Sequence, residues 1–72
     1  MTYIIIYAIF ACTANDPCTL VPSLGSYSGM SACIAKLNAM KVGNNVVEGN
    51  RLIEPDSRPS LAYECDQIQV NQ

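Results

Sequence analysis

Ten consecutive residues without a charge, Tyr3-Ile4-Ile5-Ile6-Tyr7-Ala8-Ile9-Phe10-Ala11-Cys12, constrain this chain more than any other stretch. The run is dense in β-branched and aromatic side chains and stops at Thr13-Ala14-Asn15-Asp16-Pro17, a turn-forming sequence. That pattern predicts a strand buried on both faces. Three successive isoleucines lose rotamer freedom in a helix, so the helical alternative is weaker. Alternation puts Ile4, Ile6, Ala8, Phe10 and Cys12 on one face and Tyr3, Ile5, Tyr7, Ile9 and Ala11 on the other. The Ile/Phe face is expected to meet a helix, and the Tyr face to meet water or a partner, because each phenol needs a polar outlet.

The run resembles a bacterial lipobox at Ile9-Phe10-Ala11-Cys12. No basic residue precedes it, however, and it is short for a signal segment and far too short to span a bilayer as a helix. A strand is the better reading, and no membrane contact is expected.

Seventy-two residues allow one domain, 1–72, with one small core. At that size the core alone is marginal, and disulfides, a metal or a second copy commonly supplement it. Charge is concentrated late: up to Ala35 only Asp16 is charged, and Lys36, Lys41, Arg51 and Arg58 all follow. With a net charge of −2 and no basic cluster, direct nucleic-acid binding and a polybasic membrane anchor are both excluded.

The loop after the first strand is expected to run from Thr13 to Tyr27, interrupted by Pro17 and Pro22 and anchored by Leu20, Val21 and Leu24. A helix is predicted over Gly29–Val42, with Ser28 as N-cap, Ser26 or Ser31 as alternatives, and Gly43 as the residue that ends it. Its apolar face is Met30, Cys33, Ile34, Leu37 and Met40. Val46–Glu48 and Arg51–Glu54 read as a hairpin about Gly49-Asn50, and Pro55–Ser60 as a second loop. Leu61–Asp66 alternates, with Leu61, Tyr63 and Cys65 inward and Glu64 and Asp66 outward; Ile68 and Val70 either extend the strand or fray. The expected fold is α+β: one helix on a small, mainly antiparallel sheet in the order β-α-β-β-β.

Cys12, Cys18, Cys33 and Cys65 are even in number, which suggests two disulfides. Zinc is the rival, but no C-x-x-C knuckle or histidine is present; buried reduced thiols are the third option. Cys33 on the helix face is well placed to meet Cys65 or Cys12; Cys65 is the preferred partner, which leaves Cys12 with Cys18 across a short gap.

Without histidine, Ser-His, Cys-His and His-metal chemistry is unavailable. Cys33 near Lys36 lies on the apolar stripe and reads as a core thiol. Glu64 with Asp66, and Glu54 with Asp56, read as solvated acids that discourage strand aggregation. The glycines match no phosphate-binding fingerprint. No catalytic residue, metal or cofactor is assigned, and the chain is expected not to be an enzyme. Recognition remains: Tyr3, Tyr7 and Tyr27, with Glu64 and Asp66, form the candidate partner-binding set, since tyrosine brings contact area with few rotors. Tyr27, placed just before the helix, is expected to be the most exposed of them, and Tyr63 reads as core.

The apolar start ending at Cys12, nearby Cys18, a helix carrying Cys33, and the closing Tyr63-Glu64-Cys65 together resemble small uncharacterised phage and proteobacterial four-cysteine proteins. That resemblance implies an inhibitor that occludes a host defence protein, in the manner of anti-CRISPR proteins, acting in the host cytoplasm. The competing expectation is a disulfide-stapled periplasmic or secreted structural domain. Self-pairing through the N-terminal strand is a further expected contact.

Overall fold

In the computed structural model, residues 2–55 and 60–71 are described. The opening run forms β1 (Tyr3–Thr13), which pairs antiparallel over its whole length with the last strand, β6 (Leu61–Asn71). β2 (Thr19–Leu20) and β3 (Ser26–Tyr27) flank a 3-10 turn at Pro22–Leu24, and α1 spans Met30–Ala39. β4 (Val46–Glu48) and β5 (Arg51–Glu54) complete the sheet, whose order is β2-β1-β6-β5-β4, with β3 also on β1. The fold is α+β, with one helix on an antiparallel six-stranded sheet and two disulfides.

Several expectations are corrected. The 13–27 segment is not simply a loop: β2 and β3 act as a split edge strand on β1, with the 3-10 turn bulging between them. The helix is shorter than the apolar periodicity suggests. Its N-cap is extended Gly29, with no side-chain cap, in place of Ser28. Gly43, at φ +59°, lies in a separate turn beyond the C-cap Met40, closed by the Asn45 amide donating to the Val42 carbonyl. The hairpin turn at Gly49-Asn50 forms as expected, with Gly49 at φ +58°. β6 takes the longer of its two alternatives and runs through Val70. The expected Pro55–Ser60 loop, including Asp56 and Arg58, falls mostly on residues 56–59, outside the described residues.

The largest correction concerns which face of β1 meets the helix. Ile9 is fully buried in a cluster with Cys33, Leu37, Leu52 and Cys65, and Tyr7, Tyr27, Met30, Met40, Val47 and Tyr63 pack around it. The odd-numbered, Tyr-bearing face therefore carries the core, and the Ile4/Ile6/Phe10 face does not. Register explains this. Ile9 pairs with Cys65 and Phe10 with Glu64, and directly opposed residues of antiparallel strands share a face. Once Cys65 turns inward to reach Cys33, Ile9 turns inward with it and Phe10 turns out with Glu64. Nor is β1 buried on both faces throughout. Ala8 and Ile9 are, whereas Tyr3, Ile4 and Ile5 are exposed.

Main-chain pairing has the same parity. The Val21 amide donates to the Ile9 carbonyl, so odd residues of β1 direct their polar groups to the outer edge, and even ones direct theirs to β6. On β6, the Cys65 amide donates to the Asn50 carbonyl (2.9 Å), and the Asn50 side-chain amide donates to the Cys65 carbonyl (2.7 Å). One turn residue thus satisfies both polar groups of the half-cystine beneath the helix.

Both expected disulfides are present. Cys33–Cys65 spans 32 positions and Cys12–Cys18 spans 6. In the chain-entropy view such closures stabilise by about 3.7 and about 2.4 kcal/mol respectively. The Cys33–Cys65 bridge also lies wholly inside the core, so its loss leaves a void as well. Paired Cys33→Ala and Cys65→Ala substitutions are expected to lower unfolding free energy by about 4 kcal/mol or more, and Cys12→Ser with Cys18→Ser by about 2. Urea denaturation of the two double variants checks the order.

Candidate functional site

β1 and β6 project beyond the part of the sheet that the helix covers. Two surfaces result: the helix-free sheet face and the outer edge of β1 at its start. The helix-free face holds Ile4, Ile6 and Phe10 of β1 opposite Val70, Ile68 and Glu64 of β6, with Arg51 and Ile53 of β5 beyond. Leu20 stands across from Phe10 and is 45% exposed. Pro22, Gly25 and Ser26 line a shallow groove on this side with Ile6, Ala8 and Ile68.

At the edge, β3 pairs with Tyr7 and Ala8, and β2 with Phe10 and Ala11. Among the described residues nothing pairs with the outer side of Tyr3–Ile6. By the parity above, the main-chain N–H and C=O groups of Tyr3 and Ile5 point outward there. Tyr3, Ile4 and Ile5 are 55%, 42% and 44% exposed. An uncharged, β-branched, unpaired edge is what a further strand would add to.

The candidate tyrosines separate. Tyr3 is on this edge and exposed. Tyr7 and Tyr27 are instead half-buried against the core, opposite one another across β1 and β3. The Tyr27 hydroxyl donates to the Leu24 carbonyl at 2.6 Å, so its polar outlet is internal and it is not the exposed tyrosine expected from its place before the helix. Tyr63 packs against the core, as read from the sequence. Phe10, Ile4 and Ile68 were missed as surface candidates. The alternation of β6 held the signal, because the residue opposite outward Glu64 must also face outward.

Glu64 and Asp66 lie on the helix-free face, two residues apart on β6. The Glu64 carboxyl is raised above the usual carboxylate range, first by a side-chain hydrogen bond with Asp66, then by burial and by repulsion from the Asp66 charge; the Arg51 guanidinium opposes the shift. The Arg51 Nε lies 3.3 Å from Glu64 Oε1, a cross-strand contact open to solvent and worth at most about 1 kcal/mol. The Glu64 carboxylate also lies beside the Cys12–Cys18 bridge: one of its oxygens and both sulfurs fall within 4.8 Å of one another. Cys12 is buried and Cys18 exposed.

Among the described residues no helix is long and apolar enough to cross a membrane. Comparison of the chain with protein-family models, curated proteins and solved structures finds no match.

The raised Glu64 carboxyl fixes the sign of a pH effect. Between the ordinary and the raised value, the folded state binds more protons than the unfolded one. The Glu64 contribution to stability is therefore fully present on the acid side and is lost as pH rises through that window. Urea unfolding of wild type and Glu64→Gln across mildly acidic pH is expected to show wild type losing stability relative to the variant as pH rises. A relative gain contradicts this assignment.

Proposed function

We propose that this protein is a non-enzymatic protein-binding module that docks by strand addition on the outer edge of β1. The observation that carries this reading is the uncharged Tyr3–Ile6 edge, with which no described residue pairs on its outer side and whose Tyr3, Ile4 and Ile5 are exposed, next to the apolar Ile4, Ile6, Ile68 and Val70 on the helix-free face. An occupant must be extended, to meet the outward N–H and C=O groups of Tyr3 and Ile5, and must offer apolar side chains at alternate positions.

A second copy of the chain meets both conditions. Antiparallel pairing about a twofold axis at Ile4 sets Tyr3 against Ile5 of the other copy and Ile5 against Tyr3. All four outward polar groups on each side are then satisfied, and each tyrosine packs on a β-branched neighbour. No charge on this edge opposes the contact in a chain of net charge −2. In the inhibitor reading, which the resemblance supplies, a strand of a host protein takes the same edge.

The two disulfides favour a second reading on where the module works. Bridges of this kind persist in oxidising compartments, which suits a periplasmic or secreted stapled domain better than a cytoplasmic inhibitor.

Parity supplies a selective test. Ile5 directs its amide outward, so Ile5→Pro removes an edge donor while leaving the β1–β6 ladder whole. Light scattering after size exclusion is expected to give a concentration-dependent dimer for wild type and a monomer for Ile5→Pro, with unchanged circular dichroism. A dimer that survives Ile5→Pro, or a wild type that stays monomeric at the highest soluble concentration, overturns the self-pairing assignment.

A further inference from the structure

The Cys12–Cys18 bridge and Glu64 form a cluster toward the end of β1 away from the Tyr3–Ile6 edge. The two disulfides differ sharply in access. Cys33 and Cys65 are both fully buried, so no external thiolate reaches either sulfur in the folded state. Cys18 is exposed on the segment leading into β2, and thiol–disulfide exchange requires attack on an accessible sulfur. A dithiol reductant therefore opens Cys12–Cys18 first. The exchange passes through a mixed disulfide at Cys18, the second reductant thiolate closes the reductant's own disulfide, and Cys12 and Cys18 are left as two thiols.

We propose that reduction of Cys12–Cys18 uncovers a Zn²⁺ site held by the Cys12 and Cys18 thiolates and the Glu64 carboxylate. The bridge already gathers these three ligand atoms within 4.8 Å of one another. Two sulfurs released from a disulfide move apart to contact distance, and tetrahedral Zn–S bonds of about 2.3 Å hold their sulfurs about 3.8 Å apart, which is nearly the same separation. Cys12 and Glu64 stand on paired strands, β1 and β6, which fixes two ligands on a rigid frame; Cys18 sits on the adjoining loop segment and supplies the adjustment. Water fills the fourth position. Binding releases the two thiol protons, along with the proton of any Glu64 still protonated. The neighbouring Asp66 carboxylate adds favourable charge, while Arg51 beside Glu64 opposes the ion and, being nearly half exposed, is free to turn outward. The same end of the loop is thus tied to β1 by a disulfide under oxidising conditions and by zinc under reducing ones.

The test uses the full chain under mild dithiol treatment, with alkylation and peptide mass mapping of a parallel sample to show which bridge has opened. Zinc is then titrated into the unalkylated protein against a chromophoric chelator, and Co²⁺ is used as a spectroscopic probe. Expected are free thiols at Cys12 and Cys18 alone, one zinc per chain, and thiolate-to-cobalt charge-transfer absorption; the oxidised protein takes up none. Glu64→Gln is expected to weaken binding by about tenfold or more, Cys18→Ser to abolish it, and Arg51→Ala to tighten it, all with native circular dichroism. Absence of stoichiometric zinc when mapping shows both thiols free overturns the site. Undiminished affinity in Glu64→Gln, or opening of Cys33–Cys65 alongside Cys12–Cys18, does so equally.

Discussion

The pairing of Ile9 with Cys65 at the middle of the β1–β6 ladder is the contact on which the rest depends. Side chains alternate along a strand, so one fixed pair decides the facing of every residue on both strands, and a slip of one position would turn both faces over. Cys65 must face the helix to bridge Cys33, and the bridge is buried with Ile9, Leu37 and Leu52 in one cluster. From that single constraint follow the inward packing of Tyr7 and Tyr63, the outward facing of Phe10 and Glu64, and the direction of the main-chain polar groups at Tyr3 and Ile5.

Those consequences also account for the candidate surfaces. The helix covers the Ile9 face over the middle of the sheet, while the other face and the start of β1 have no such cover. A small domain that leaves Ile4, Ile5, Leu20 and Val70 exposed gives up burial that a core of this size would benefit from. That exposed apolar surface, adjoining an edge of outward main-chain polar groups, is what the docking proposal rests on. The disulfides divide the work: Cys33–Cys65 anchors the helix to the sheet, while Cys12–Cys18 ties the exposed segment that carries β2 to the far end of β1. Position decides their chemistry, since the buried bridge is protected from exchange and the outer one lies beside the Glu64 carboxylate.

Much of the fold was legible in the residues. The opening strand, the Gly49-Asn50 hairpin, the Met30/Cys33/Leu37 helix face and both disulfide pairings follow from periodicity, turn chemistry and reach. The facing of β1 did not, because local content favours the wrong answer: Ile4, Ile6 and Phe10 make a more apolar face than Tyr3, Ile5 and Tyr7. The correct answer lies in a long-range register, and Cys65 carried it, since inward Cys65 and inward Phe10 cannot coexist when Phe10 opposes Glu64. β2 and β3 were missed because strands of two residues have no period of their own; pairing to β1 alone creates them. Tyr27 was misplaced for a similar reason, as the carbonyl that takes its hydroxyl proton, Leu24, is presented by a turn that forms only when the segment folds back on β1.

The most direct test of this arrangement is a two-dimensional NOE spectrum of the oxidised protein, read at two adjacent residues of β1. The account predicts contacts from Ile9 methyls to Leu37, a close Ile9–Cys65 α-proton pair, and Phe10 ring contacts to Leu20 and not to the helix. Contacts from the Phe10 ring to Leu37 or Cys33, with Ile9 turned to solvent, would contradict it.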